Sequence, residues 1–165
     1  MFDCHCHLYT PQFTPAEVAD LSAEAAAVGV RAIVAVPETL ADSRAVLQLA
    51  AGLHPVQPVH SDGLPYSGAR CVSLEDLVPA LDFIRDHADA LVAVGEVGLD
   101  FSPHVLNGDE ALKDVQRAVL AAQVSLANEL GLPLNVHSRS AGHHAIDALL
   151  VRPHAQLPRL SDTTY

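Results

Sequence analysis

The chain has 165 residues, half of them apolar and only 4% aromatic, and its formal net charge is −11. This composition is typical of a soluble globular protein, and no apolar run approaches the length of a membrane-spanning helix. The acidic balance argues against broad electrostatic adhesion to nucleic acid or to an anionic membrane, so a phosphate-bearing ligand would require bound cations to offset the charge.

Apolar, β-branched runs alternate with amphipathic stretches in the first half of the chain, which is the rhythm of an α/β fold. The predicted elements are a strand at about 2–8, a helix at 16–28, a strand at 30–36, a helix at 39–51 and a very short strand at 52–55. Thr14 and Pro15 are the expected N-cap and first residue of the first helix, and Gly29 ends it. Residues 57–68, rich in Pro, Gly and Ser, are predicted to form a loop.

The second half of the chain continues the same alternation. Its predicted elements are a helix at 77–87, a strand at 90–97, a helix at 110–130, a strand at 132–137 and an amphipathic segment at 141–150. Ser73 followed by Asp76 resembles a capping box, and Gly131 is the expected end of the long helix. The five strand-then-helix units do not match one another in sequence, so they predict an architecture rather than a repeat.

The tetrad Cys4-His5-Cys6-His7 opens the chain. Side chains alternate across a strand, so the two imidazoles point to one face and can share an ion, which argues against a zinc knot built from all four neighbours. Cys4 and Cys6 are interpreted as small packing residues. Three cysteines give no disulfide framework, and the absence of a signal-peptide pattern predicts an intracellular protein, cytoplasmic or nuclear.

Candidate metal ligands recur where predicted strands end. Such positions are occupied by His5, His7, His54, Glu96 and His137, and a chance distribution of the chain's ten histidines would not favour strand ends so strongly. The carboxyl ends of parallel strands open on one face of an α/β barrel, so these side chains are expected to converge there. The sequence therefore predicts a divalent-metal site.

Four ordered motifs carry a family resemblance. They are Asp3–Leu8 (DCHCHL), Gly52–Pro55 (GLHP), Gly95–Asp100 (GEVGLD) and Asn135–Arg139 (NVHSR). Together they resemble successive motifs of the TatD family, a set of metal-dependent deoxyribonucleases with a TIM-barrel fold, and the resemblance covers about residues 1–150.

The resemblance implies a two-metal site. His5 and His7 would hold one ion. Glu96 would bridge this ion to a second one, which His137 would also bind. Two divalent cations, Zn²⁺, Mn²⁺ or Mg²⁺, could clamp a scissile DNA phosphodiester and ready a water molecule for attack.

Three further residues have supporting roles in this interpretation. His54 would face the substrate phosphate or the leaving group. Asp100 would orient a ligand or a loop, while Arg139 would contact phosphate or support the barrel mouth, with a plain structural salt bridge as an equal alternative. The implied substrate is DNA, taken as single strands or ends and cleaved in the manner of a 3′ exonuclease, without readout of the bases.

The sequence also departs from the family pattern. The family's later motifs, a His that closes the sixth strand and an Asp at the eighth, have no counterpart here, so no catalytic general base is assigned. A typical barrel needs ~250 residues. We therefore expect an incomplete (β/α)₈ TIM barrel of about five βα units at residues 1–150, followed by an irregular tail at 151–165. Its first and fifth strands would be open edges through which two copies could self-associate.

Two other functions stay open on the sequence alone. A metal-dependent amidohydrolase or lactonase would share the barrel and the His-x-His start. Such enzymes commonly bridge their metals with a strand-end lysine, however, whereas the only lysine here, Lys113, lies in a predicted helix. A non-catalytic truncated isoform would explain the short chain best, and it would lack a cooperative unfolding transition.

Overall fold

The computed structural model of the protein describes residues 1–8, 13–45, 50–61 and 64–150. The elements in chain order are β1 (Phe2–Cys6), α1 (Pro15–Ala27), β2 (Ala32–Ala35), α2 (Leu40–Ala45), β3 (Ala50–Ala51), β4 (Val56–Ser61), β5 (Leu64–Cys71), α3 (Leu74–Asp86), a 3₁₀ turn (Ala88–Ala90), β6 (Ala93–Asp100), α4 (Pro103–Leu106), α5 (Ala111–Leu130), β7 (Leu134–Arg139) and α6 (Gly142–Leu150). The tail predicted at 151–165 lies outside the described residues.

The strands form two parallel sheets and one hairpin. β1 pairs with β2, and β3, β6 and β7 form a second sheet with β6 in the middle. This order of parallel strands and helices confirms the α/β prediction and agrees with an incomplete (β/α)₈ barrel. Within the described residues, β1 and β7 each pair along a single edge. None of the described helices combines the length and the apolar character needed to cross a membrane.

The core surrounds β6. All eight residues of this strand are buried, and Val94, Val97 and Leu99 have no exposed surface. Helix α5 packs on the strand and contributes Leu120, which is also fully buried. A central strand covered on both faces is typical of parallel sheets, which explains why its sequence shows no alternation of polar and apolar residues.

The helix boundaries follow the predicted capping residues. Thr14 accepts a hydrogen bond from the Glu17 backbone at 3.3 Å while the Glu17 carboxylate accepts one from the Thr14 backbone at 2.8 Å, which is the reciprocal pattern of a capping box. Asp76 accepts from the Ser73 backbone in the same way at the start of α3. Gly131 ends α5 in the left-handed region, with φ of 67°.

The prediction of a loop at residues 57–68 is wrong. The described residues of this segment belong to an antiparallel hairpin of β4 and β5, in which Val56 lies opposite Cys71 and Pro58 opposite Ala69. A strand that pairs along one edge tolerates proline because its missing N–H need not serve a ladder, so the composition of this segment was a misleading signal.

The helix predicted at residues 39–51 is also wrong at its end. The described part of the helix stops at Ala45, and Ala50 and Ala51 form β3, which pairs with Ala93 and Val94 of β6. Pairing with a buried strand overrides the helix preference of alanine. The short strand thus precedes the Gly-Leu-His-Pro motif instead of coinciding with it, and α4 (Pro103–Leu106) was not predicted at all.

The first part of the chain is packed more loosely. Helix α1 has no buried residue, and Phe2 keeps 71% of its surface exposed. An apolar groove of about 300 Å³ lies between α1 and β2. Cys4 is exposed and Cys6 half-buried, so the interpretation of Cys4 as a packing residue is wrong.

Glycines bring the strands close together beside the predicted ligands. A Cβ atom on Gly52 would lie 2.6 Å from the carbonyl carbon of Gly95, and one on Gly95 would lie 2.6 Å from Cβ of Asn135. Neither position has room for a side chain. The absence of a side chain at these two glycines therefore allows the segments that carry His54, Glu96 and His137 to lie close together.

Candidate metal centre

The four predicted ligands and His54, which was predicted to face the substrate, meet at one place in the structure. His5, His7 and Glu96 form one group, and His54, Glu96 and His137 form another, with the candidate ligand atoms of each group within 4.8 Å of one another. The strands β1, β6 and β7 carry His5, Glu96 and His137, while His7 directly follows β1 and His54 lies in the segment after β3. The convergence predicted from the strand ends is therefore present.

Glu96 lies between the two groups. Its Oε2 atom is 3.4 Å from Nε2 of His5 and 3.5 Å from Nε2 of His7. Its Oε1 atom is 2.8 Å from Nδ1 of His137 and 3.7 Å from Nε2 of His54. Each carboxylate oxygen thus faces its own pair of imidazoles, which is the arrangement that a bridging carboxylate requires.

The electrostatics favour an ionised Glu96. Only 3% of this residue is exposed, and burial alone would raise its pKa. The hydrogen bond from His137 and the neighbouring imidazoles of His54 and His5 outweigh burial and hold the pKa of Glu96 below its ordinary value. Burial also lowers the pKa of His54, which favours the neutral imidazole. Metal ligation needs both forms, an anionic carboxylate and neutral rings.

Orphaned polar atoms test whether a cation fits here. Among the described residues, the buried atoms Oε2 of Glu96, Oδ2 of Asp100 and Nε2 of His137 have no hydrogen-bond partner. Buried polar atoms are nearly always hydrogen-bonded, so a cluster of such atoms at one place suits a ligand that accepts their lone pairs. Imidazole nitrogens and carboxylate oxygens are donors for Zn²⁺ or Mn²⁺ and, with more water, Mg²⁺. The residues present fit divalent metal.

Contacts on the side away from Glu96 orient the rings of His5 and His7. Nδ1 of His5 lies 2.8 Å from Oδ1 of Asn135, and Nδ1 of His7 lies 2.9 Å from the carbonyl oxygen of Val36. When Nδ1 donates to these oxygens, Nε2 of each ring keeps its lone pair for the Glu96 side. Asn135 also donates to the carbonyl oxygen of Cys4 at 2.6 Å.

Sequence reasoning missed Asn135. It lies two residues before His137 on β7, and alternation places both side chains on one face of the strand. That spacing is the signal that could have identified it.

His54 is 5% exposed, and its ring centroid lies 4.3 Å from that of His137. The Val56 backbone N–H lies 3.0 Å from Nδ1, as does the Val56 carbonyl oxygen. A neutral ring that accepts from the N–H carries its proton on Nε2, which suits donation to a phosphate oxygen. A ring that donates to the carbonyl leaves Nε2 available for metal.

Asp100 and Arg139 lie on the far side of His137. Asp100 has no exposed surface, and its Oδ1 accepts from the Ser102 backbone at 2.9 Å. Its Oδ2 lies 3.5 Å from Nε2 of His137 and 3.6 Å from the Arg139 guanidinium. Burial would raise the pKa of Asp100, but the Ser102 hydrogen bonds and the charges of Arg139 and His137 lower it overall. Arg139 itself is exposed, so its guanidinium faces solvent as well as Asp100.

Comparisons with known proteins also point to the TatD family. Residues 2–157 match the family model described as TatD related DNase. The human protein named deoxyribonuclease TATDN3 is 43% identical over 159 residues, which are 90% of this chain and 56% of that protein. The protein named 3′-5′ ssDNA/RNA exonuclease TatD from Rahnella is 35% identical over 103 residues, 62% of this chain and 32% of that protein.

A solved structure extends the likeness to the fold. The crystal structure of YjjV, a TatD homologue from Escherichia coli, matches 88% of this chain and 53% of its own with a TM-score of 0.61 and 27% identity. YjjV is named an uncharacterized metal-dependent hydrolase and is 39% identical over 148 residues, 83% of this chain and 50% of YjjV. The chain thus spans about half the length of these two relatives, human TATDN3 and YjjV.

Proposed function

The chain belongs to the TatD-related DNase family, as its four motifs predicted, and on this premise we propose that its metal centre serves the hydrolysis of DNA phosphodiester bonds. The observation that carries the proposal is one buried carboxylate with a pair of imidazoles on each of its oxygens. The name of the Rahnella relative supports action at the 3′ end of single strands.

The proposed ligand assignment follows the two groups. His5 and His7 hold one cation with Glu96, and His137 holds a second one with the same carboxylate. His54 serves as a third ligand of the second group or as a donor to the substrate phosphate. When bound, two divalent cations supply charge neutralisation at the phosphate and a water molecule of lowered pKa.

The chain's own residues prepare the site for this chemistry. Glu96 stays ionised because the surrounding imidazoles outweigh its burial. Asp100 holds a carboxylate oxygen 3.5 Å from Nε2 of His137, and Arg139 offers an exposed guanidinium to a phosphate oxygen at the rim. The proposal assigns no general base among residues 1–150.

Net charge limits how DNA can be held. A chain with a charge of −11 repels a polyanion at long range, so attraction must come from the cations and from contacts near them. We therefore expect binding of strand ends through the phosphate backbone, with little dependence on base sequence.

End-labelled single-stranded DNA tests this function. The 165-residue chain is incubated with Mn²⁺ and DNA labelled at the 5′ or the 3′ end, alongside the variants His137→Ala and His87→Ala. His87 is the matched control because its ring bonds to the Phe83 carbonyl and stacks on the Phe83 ring. We expect metal-dependent shortening from the 3′ end that only His137→Ala abolishes.

The contrary results point to the alternatives. Equal cleavage by wild type and His137→Ala would contradict the proposal. Turnover of a lactone or amide substrate without cleavage of DNA would favour the amidohydrolase hypothesis. The structure gives that hypothesis no bridging lysine, because the only lysine, Lys113, lies on α5 beside Glu110 and not among the ligands. Metal binding without any turnover would favour the non-catalytic reading.

A further inference from the structure

Two fully buried glutamines lie on α5, the helix that covers β6. Gln116 and Gln123 each have no exposed surface, and they are seven residues apart. Seven residues are about two helical turns, so both side chains leave the same face of the helix. A glutamine is rarely buried this completely, and neither residue is a candidate metal ligand.

Gln123 binds the backbone of the segment that carries His54. Its Oε1 accepts from the Leu53 N–H at 2.7 Å, and its Nε2 donates to the Leu53 carbonyl at 3.1 Å. β3 ends two residues earlier at Ala51, where its ladder with β6 stops. The side-chain amide thus supplies the two hydrogen bonds that a neighbouring strand would otherwise provide.

Gln116 repeats this contact at the other end of the centre. Its Oε1 accepts from the Asp100 N–H at 2.7 Å, and its Nε2 donates to the Asp100 carbonyl at 2.8 Å. Nε2 also lies 3.4 Å from Sγ of Cys71, a buried thiol. Asp100 is the last residue of β6 and the carboxylate that faces His137.

A primary amide offers an acceptor and a donor side by side on one short, neutral, planar group. In both contacts that group fixes the backbone of a site segment from the helix side, while the site side chain points to the cluster. A backbone fixed at Leu53 limits where the His54 ring can lie, and a backbone fixed at Asp100 limits where its carboxylate can lie.

From this geometry we propose that Gln123 and Gln116 are positioning residues of the metal centre, Gln123 for His54 and Gln116 for Asp100. The proposal rests on the proposed function, since the centre is taken to bind metal. It predicts that both glutamines affect the group of His54 and His137 and leave the group of His5 and His7 unchanged.

The first measurement requires no metal. Long-range ¹H–¹⁵N correlation spectra of the imidazole rings are recorded for the metal-free wild type and for Gln123→Met, which keeps the side-chain length and loses both hydrogen bonds. Gln123→Asn is the milder second variant, because it keeps the amide and withdraws it by one methylene group. Leu126→Ala, a cavity variant one turn further along α5, is the matched control for lost stability.

We expect the ring signals of His54 to shift or broaden in both Gln123 variants, while those of His5 and His7 and the spectrum of Leu126→Ala match the wild type. Unchanged His54 signals, or equal changes in Leu126→Ala, would overturn the positioning role.

The second measurement titrates Mn²⁺ into the same proteins and into Gln116→Met. We expect the affinity of one of two binding steps to fall about 10- to 100-fold in Gln123→Met and Gln116→Met, the usual effect of removing an outer contact to a ligand, and to be kept in Leu126→Ala. Equal losses at both steps would contradict the proposal. A wild type that binds no Mn²⁺ would overturn the proposed function instead. The ring spectra, recorded for Gln116→Met as well, would then decide both positioning roles through the signals of His54 and His137.

Discussion

The two regions that supply the ligands are built very differently. Around β6, the strand, its neighbour β7 and helix α5 form a dense core in which several large side chains have no exposed surface. The pair β1 and β2 lies under a helix without a buried residue, and its first apolar side chain, Phe2, is 71% exposed. Glu96 and His137 belong to the first region, and His5 and His7 to the second.

The ligand cluster also links these two regions. Hydrogen bonds of Asn135 and the ion pair between His5 and Glu96 join β1 to the β6 region. A well-packed region can hold its ligands in place without metal, whereas a loosely packed one gains order from each contact to a neighbour.

The largest effect is expected from the core. Leu120→Ala removes a fully buried side chain beside β6 and should lower the free energy of unfolding by roughly 3–5 kcal/mol. Phe2→Ala, at an exposed position, should change it by less than about 0.5 kcal/mol. Urea unfolding of the metal-free chain measures both. Similar losses of stability in the two variants would contradict the difference in packing between the two regions.

Metal should act mainly on the loosely packed region. At about 100 times its dissociation constant, Mn²⁺ should raise stability by about 2.7 kcal/mol if it binds only the folded chain. Because His5 and His7 bring β1 to Glu96, amide hydrogen exchange should slow most in β1 and β2. Glu96→Gln should lose the effect. Uniform slowing across all elements would argue against the contrast.

Asn135 is the next test, since it joins β7 to β1. Asn135→Ala removes the contacts to His5 and to the Cys4 carbonyl and should destabilise the metal-free chain by about 1–2 kcal/mol. The Mn²⁺ affinity of the His5 and His7 group should fall about tenfold. Asn128→Ala, at an exposed site on α5, is the matched control. An unchanged affinity in Asn135→Ala would show that the link is not needed.

The smallest effect is the response to pH. Glu96, Asp100 and His54 all have a pKa below the ordinary value, so each binds fewer protons in the folded chain than in the unfolded one. Stability should therefore fall as pH falls, first below about 6.5 through His54 and then more steeply below about 4 through the carboxylates. Thermal midpoints of the metal-free chain measure this, and His54→Gln should flatten the upper part of the curve.

The convergence of the candidate ligands could be predicted from the sequence better than the pairing of the strands. Alternation in His-x-His and the position of ligands at strand ends depend on local geometry, so His5, His7, Glu96 and His137 could be brought together on paper. The pairing of β4 with β5 could not be predicted, because the proline and glycine content of these strands resembles that of a loop until the pairing partner is known. The same holds for Ala50 and Ala51, which become a strand only beside β6.

Residues that act on the centre from a distance were missed for a related reason. Gln116 and Gln123 contact backbone 16 and 70 residues away, and Asn135 contacts His5 across 130 residues. A glutamine in an amphipathic helix is expected to face solvent, and the neighbouring sequence does not indicate which backbone it will bind. Long-range hydrogen bonds are visible only once the chain is folded.

The close approach at Gly52 and Gly95 finally bears on the size of ion that the centre can accept. A side chain at either position would push apart the segments that carry His54, Glu96 and His137, so the donors can lie this close together only with glycine at both positions. Ca²⁺ prefers six to eight oxygen ligands at 2.3–2.6 Å, whereas Zn²⁺ accepts four nitrogen or oxygen ligands near 2.0–2.2 Å. We expect the two glycines to keep the donors close enough together for the short ligand bonds of a small cation such as Zn²⁺.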